Sequence, residues 1–228
     1  MKKVTAFSGL FSTLLAAASH ASDQEQVLLI DQTGDVSLAA REHWMGIAKQ
    51  ALHDLVSPCP REAFGAAIVN HTSTDGLGEL VCIGANGIIA TGNPTLHGEI
   101  AGINNCTAVL QDPSGPYKLS PVEVSAAFRD LTLYTTAEPC PMCASAIRWA
   151  GFKECVFATS MQTLAVEGWD PINMTSRELF ARTRAFPTTT ELFGGVLADE
   201  TDPMFQWQFN PNASCPAGCE RKEGTCIP

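Results

Sequence analysis

Two short segments, each placed to open a helix, constrain this chain more tightly than any other feature of its 228 residues. The first is Thr95-Leu96-His97-Gly98-Glu99, inside a helical pattern over residues 96–110. The second is Glu138-Pro139-Cys140-Pro141-Met142-Cys143. It follows a strand-like run at 131–136 and enters a helix at 141–149 whose first turn holds a proline, where a missing N–H costs nothing. A helix start carries unpaired backbone N–H groups and the positive end of the helix dipole. A fold that aims both starts at one spot therefore gathers His97, Glu99, Cys140 and Cys143 there.

The rest of the pattern supplies such a fold. Trp44, Ala48, Ala51, Leu52 and Leu55 form one apolar stripe on a helix over 37–55, which Ser57-Pro58-Cys59-Pro60 ends. Strands are expected at 64–69, 79–83 and 155–159, a helix at 176–184 and a last strand at 188–197. Strands alternating with helices imply a three-layer α/β/α sandwich.

Cys140 and Cys143, spaced C-x-x-C on one turn, place two sulfurs together near a helix start that favours thiolates. With His97 they make three ligands for Zn²⁺, leaving a fourth position for water. Glu99 need not bind metal; it is placed to move a proton. A C-x-x-C alone in an exported protein also reads as a disulfide or redox pair. The accompanying H-x-E at a second helix start is what favours the metal reading.

Residues 1–21 read as a secretory signal peptide: Lys2 and Lys3, an apolar stretch, then Ser19-His20-Ala21. The alternative is a short membrane anchor, but the run is short and lacks a stop-transfer flank. A secreted location follows as the expectation. Removing the segment takes the net charge from −10 to −12. That acidic balance disfavours a folded nucleic acid as partner, because phosphate contacts need Lys and Arg. No run suits a mature membrane span. Residues 22–199 then form one domain, and 200–228, rich in Pro, Asn, Gly and Cys, a disulfide-held extension.

Export also bears on the nine cysteines. Cys82, Cys106 and Cys155 fall in expected regular elements and read as small buried hydrophobes. Cys59, Cys215, Cys219 and Cys226 remain, and four cysteines allow three connectivities. Asn70, Asn105, Asn173 and Asn212 head glycosylation sequons, Asn105 within the helix at 96–110.

From about Glu42 to Arg184 the chain resembles the cytidine and deoxycytidylate deaminase superfamily. The H-x-E and P-C-x-x-C segments carry that likeness. It is most similar to the branch of guanine deaminases, tRNA adenosine deaminases and fungal cytosine deaminases. Phe64-Gly65-Ala66-Ala67-Ile68-Val69 resembles that branch's first strand. Thr95 to Glu99 resembles the cytosine deaminase version, and Glu138 to Cys143 with Ala146 to Ala150 the guanine deaminase version. The resemblance implies a mixed five-stranded central sheet and a homodimer. It implies zinc on His97, Cys140 and Cys143, and Glu99 as the catalytic proton shuttle. Asn86 would read a ring edge, the Gly98 N–H a ring carbonyl, Trp169 would stack on a base, and Asp170 would accept from an amino-purine edge. The expected activity is hydrolytic deamination of a small nucleobase, guanine-like by preference. Cytosine or a nucleoside or nucleotide is the alternative, and a silent interaction scaffold the third reading.

Overall fold

A computed structural model describes residues 35–72 and 76–228. The signal-peptide reading lies outside the described residues. Helix α1 (Leu38–Leu55) starts where the Ser37 hydroxyl accepts the Ala40 N–H at 3.2 Å. Strands β1 (Gly65–Asn70) and β2 (Glu79–Ala85) follow, then α2 (Ile88–Thr91), α3 (Gly98–Gln111) and α4 (Pro121–Ala127). Next come β3 (Leu131–Ala137), α5 (Pro141–Ala150), β4 (Glu154–Thr159), α6 (Met161–Val166) and α7 (Ser176–Arg182). The chain ends with β5 (Glu191–Phe193), α8 (Ala198–Thr201), and a hairpin of β6 (Glu220–Lys222) and β7 (Thr225–Ile227).

The central sheet has five strands in the order β2-β1-β3-β4-β5. β1 is antiparallel to β2 and β3, while β3, β4 and β5 run parallel. The expected mixed five-stranded α/β sheet is thus present. Side chains alternate across it as a period of two demands. Ile68, Leu133 and Cys155 join Cys106, Leu110 and Ile147 of α3 and α5 on one face. Ala67, Val69, Tyr134 and Val156 pack against Trp44, Met45 and Ala48 of α1 on the other.

The cysteine reading needs one correction. Cys82 and Cys106 are not separate buried hydrophobes; they form a disulfide between β2 and α3. The cause is glycine. A Cβ on Gly84 would sit 2.3 Å from the Gly102 backbone N, so only glycine lets α3 lie this close to β2. That approach brings the two Cα atoms to 5.4 Å, within the usual disulfide range. Cys155 is buried and free, as expected. Of the three open connectivities, the structure has Cys59–Cys219 and Cys215–Cys226. Asn105 is exposed, and its Nδ2 donates to the Ile83 carbonyl at 2.9 Å.

The last strand is shorter than its apolar run, and α2, α4, α6 and α8 were not read from the sequence. Each spans two turns or fewer, too short for a 3.6-residue period to register. α4 did carry a readable signal: Ser120 and Glu123 form a capping box. The segment after residue 199 is packed rather than loose, with Phe205 and Trp207 almost fully buried. No helix among the described residues is long and apolar enough to cross a membrane.

Candidate active site

The functional side chains collect where β2, β3 and β4 end and β1 begins. Gly65 pairs with Ala85, Ala66 with Thr135, and Ala137 with Thr159, so these ends lie side by side. His97 is the N-cap of α3 and Cys140 the N-cap of α5. Both have the extended backbone of an N-cap, yet neither side chain is recorded in a capping hydrogen bond. They turn to each other instead: Cys140 Sγ lies 3.6 Å from His97 Nδ1. Cys143 comes in from the first turn of α5, and the three donor atoms all lie within 4.8 Å of one another.

That donor set fits zinc. Tetrahedral Zn²⁺ with ordinary Zn–N and Zn–S bonds holds a nitrogen and a sulfur ligand about 3.6 Å apart, the His97–Cys140 separation seen here. The electrostatics agree. The hydrogen bond from Cys143 holds the Cys140 thiol down at about 4, against desolvation and with help from His97. Cys143 is pushed up in turn by sharing that hydrogen bond and by burial. The bond to Cys140 raises His97. The lowering at Cys140 favours its thiolate, the form in which cysteine binds metal.

Glu99 sits in the first turn of α3 and is buried. Desolvation pushes its carboxyl up to about 7. A group near neutrality can both take and return a proton, which is the requirement for a general acid–base. Glu99, His97 and Cys140 line one cavity of about 220 Å³ together with Asn86, Trp169 and Asp170. Of the expected site residues only Cys143, which lies behind the lining beside Cys140 and His97, and Gly98 are not on it. Gly98 is buried at the start of α3, where a Cβ would meet the Phe64 carbonyl oxygen at 2.4 Å. The glycine lets α3 pack closely on the start of β1. The Asn86 side-chain oxygen accepts the Ile88 N–H at 3.0 Å, so its amide N–H is the group free for another role.

Residues 39–159 match the model of the cytidine and deoxycytidylate deaminase zinc-binding region. The chain belongs to this deaminase family. It is 35% identical over 107 residues to a guanine deaminase of Bacillus subtilis, covering 47% of this chain and 56% of that protein. It spans little more than half the length of that relative. It is 32% identical over 139 residues to a tRNA-specific adenosine deaminase of Haemophilus influenzae, covering 61% of this chain and 69% of that protein. Among solved structures, a guanine deaminase from Nitrosomonas europaea shares the fold with a TM-score of 0.51 at 21% identity, over 72% of this chain and 81% of that one.

Three features of the cavity went unread in the sequence. Glu62 lines it and has a carboxylate oxygen, Oε2, that is buried without a hydrogen-bond partner. Glu138 lines it from the residue pair before Cys140. Trp169 is held from the far end of the chain: its indole N–H donates to the Phe205 carbonyl, and its ring meets those of Phe64 and Phe209 edge-on. Only Glu138 had a sequence signal, as part of the E-P-C-x-x-C segment. The other two depend on tertiary contacts.

Proposed function

We propose that this chain is a secreted, zinc-dependent hydrolytic deaminase of a free nucleobase, with guanine preferred. The observation that carries the reading is a buried Glu99 carboxyl sharing one small cavity with His97 and Cys140, which with Cys143 behind them form a three-residue donor set. The cavity falls below the roughly 300–1,000 Å³ usual for drug-sized ligands, a size suited to one heterocycle. Among the described residues lining it there is no Lys or Arg to hold a phosphate, while Glu62, Glu99, Glu138 and Asp170 are all acids. The likeness to a guanine deaminase supports the choice of base. Three disulfides support an oxidising, extracellular setting.

A Zn²⁺ held by His97, Cys140 and Cys143 would supply Lewis acidity and activate a water near neutral pH. Glu99 takes one proton of that water at its carboxyl and returns it to the ring nitrogen beside the reacting carbon, then takes the proton of the hydroxyl left on that carbon and gives it to the departing amine. One water is consumed, the bond to the exocyclic amine breaks, a ring carbonyl forms and ammonia leaves. The Asn86 amide donates to a ring edge, and Asp170 accepts from one. Trp169 offers ring surface, since its N–H is already bonded to Phe205. The Gly98 N–H belongs to the first turn of α3, where backbone donors lack helical partners.

Ammonia release from guanine, cytosine, adenine and their nucleosides by the zinc-loaded protein tests this reading, with Glu99→Ala as control. Release from guanine that disappears in the control is expected. No release from any substrate at full zinc occupancy overturns the reading. A nucleoside is the second reading, because a neighbouring cavity of about 300 Å³ shares Glu62 and Asn86 with the first. Release from guanosine but not guanine would establish it.

A further inference from the structure

We propose that Glu138 is a positioning residue that sets the substrate-facing wall against the metal-ligand cluster. The proposal rests on the deaminase reading of the cavity. Glu138 is buried at the end of β3, where its own N–H donates to the Thr159 carbonyl at 2.8 Å. Its carboxylate is spent on two other helix starts. Oε2 accepts the Met161 N–H at 2.9 Å, and Oε1 accepts both the N–H and the hydroxyl of Ser176 at 2.8 Å.

Met161 is the first residue of α6 and Ser176 the first of α7. Each helix has its own N-cap, Ser160 or Thr175, but that side chain serves the third residue, Thr163 or Glu178. The N–H groups of Met161 and Ser176 are therefore orphan donors of a helix start, and one distant carboxylate answers both. Residues 167–175 run between the two helices and carry Trp169 and Asp170 into the cavity. The same carboxylate stands two residues before Cys140. The spacing from metal ligand to substrate wall thus passes through one side chain.

Glutamine tests this, because it has the same shape but turns one acceptor oxygen into an NH₂ donor. One of the two helix starts then faces a donor and loses its acceptor. Ser176→Ala is the milder variant, since it removes the hydroxyl and keeps both backbone bonds. The readouts in the full zinc-loaded chain are zinc content, steady-state kinetics with guanine and the calorimetric Kd of 2,6-diaminopurine.

Glu138→Gln should keep its zinc and hold kcat within about threefold, while KM and Kd rise about tenfold or more because the wall is misplaced. Ser176→Ala should shift KM and Kd the same way by less. Unchanged KM and Kd with only a lower melting temperature would overturn the proposal, as would activity lost in step with zinc. If Glu138→Gln does not fold, unchanged KM and Kd in Ser176→Ala overturn it alone. A wild-type chain inactive on every base removes the deaminase reading and this proposal with it. A wild type active on guanine with Glu138→Gln unaltered removes only this proposal.

Discussion

Trp169 donates its indole N–H to the Phe205 carbonyl oxygen at 2.9 Å, so a residue of the cavity wall hangs on the C-terminal segment. That segment grips the other side of the cavity as well. Gln208 Nε2 donates to the Arg61 carbonyl at 2.8 Å, next to Glu62, and Cys219 is bonded to Cys59 just upstream. The Phe205 ring lies 5.1 Å from that of Phe64. The Cys59–Cys219 bond closes a loop of 160 residues, so the Cys59→Ser/Cys219→Ser variant should lose roughly 2–5 kcal/mol of stability. It should also raise KM for the base while zinc content holds. Urea titration and kinetics check both, and an unaltered KM would show that the segment stabilises without shaping the site.

Glu99 is buried with its carboxyl at about 7, outside the His97–Cys140–Cys143 group that could hold a metal. Glu99→Ala should therefore keep its zinc and lose about 10²–10⁴-fold in kcat, the usual share of a general acid–base. Glu99→Gln keeps the shape without the titration and should fall as far. Metal analysis beside ammonia release separates this from a ligand role, in which zinc would leave with the activity.

The sheet and the metal cluster were legible because their signals are local. His97 and Cys140 stand at strand–helix junctions that the apolar pattern marks, and C-x-x-C fixes its own geometry on one turn. Cys82–Cys106 was not legible, since it depends on the Gly84–Gly102 contact between two elements. The tie from Glu138 to Met161 and Ser176 and the seat of Trp169 on Phe205 join residues 23 to 38 positions apart, where no periodicity reaches. The short helices α6 and α8 were hidden for a different reason, being too brief to repeat a pattern.

The family's zinc-binding region and the donor set at His97, Cys140 and Cys143 make metal removal a direct check. A chelator should abolish activity and lower the melting temperature, because a ligand bound only to the native state adds about 4 kcal/mol when free at a thousand times its Kd. Readded Zn²⁺ should restore both. Cys143→Ala should behave like the chelated protein and resist rescue. Full activity after exhaustive chelation, with zinc absent by emission analysis, would remove the metal from the reaction.

Arg41 and Glu154 form an ion pair of 3.1 Å in which both side chains are 1–2% exposed, with the guanidinium 3.6 Å above the Phe193 ring. Burial pushes the Glu154 carboxyl above its usual value of 4.5, against the pull of Arg41. Removing Arg41 leaves a buried carboxylate without its partner, so Arg41→Met should cost roughly 3–5 kcal/mol near neutral pH. The sign with pH follows from the raised value. A carboxyl with a folded pKa above its unfolded one contributes fully below the unfolded value, and that contribution is lost as pH rises through the folded value. The pKa of Glu154 rises further without Arg41, so the deficit of Arg41→Met should shrink on acidification toward about pH 4. Arg41→Met/Glu154→Leu, which removes both charges, should recover much of the loss and show no such pH trend. Urea midpoints of the three proteins across that range decide it, and a deficit independent of pH would place the loss in packing on Phe193 instead.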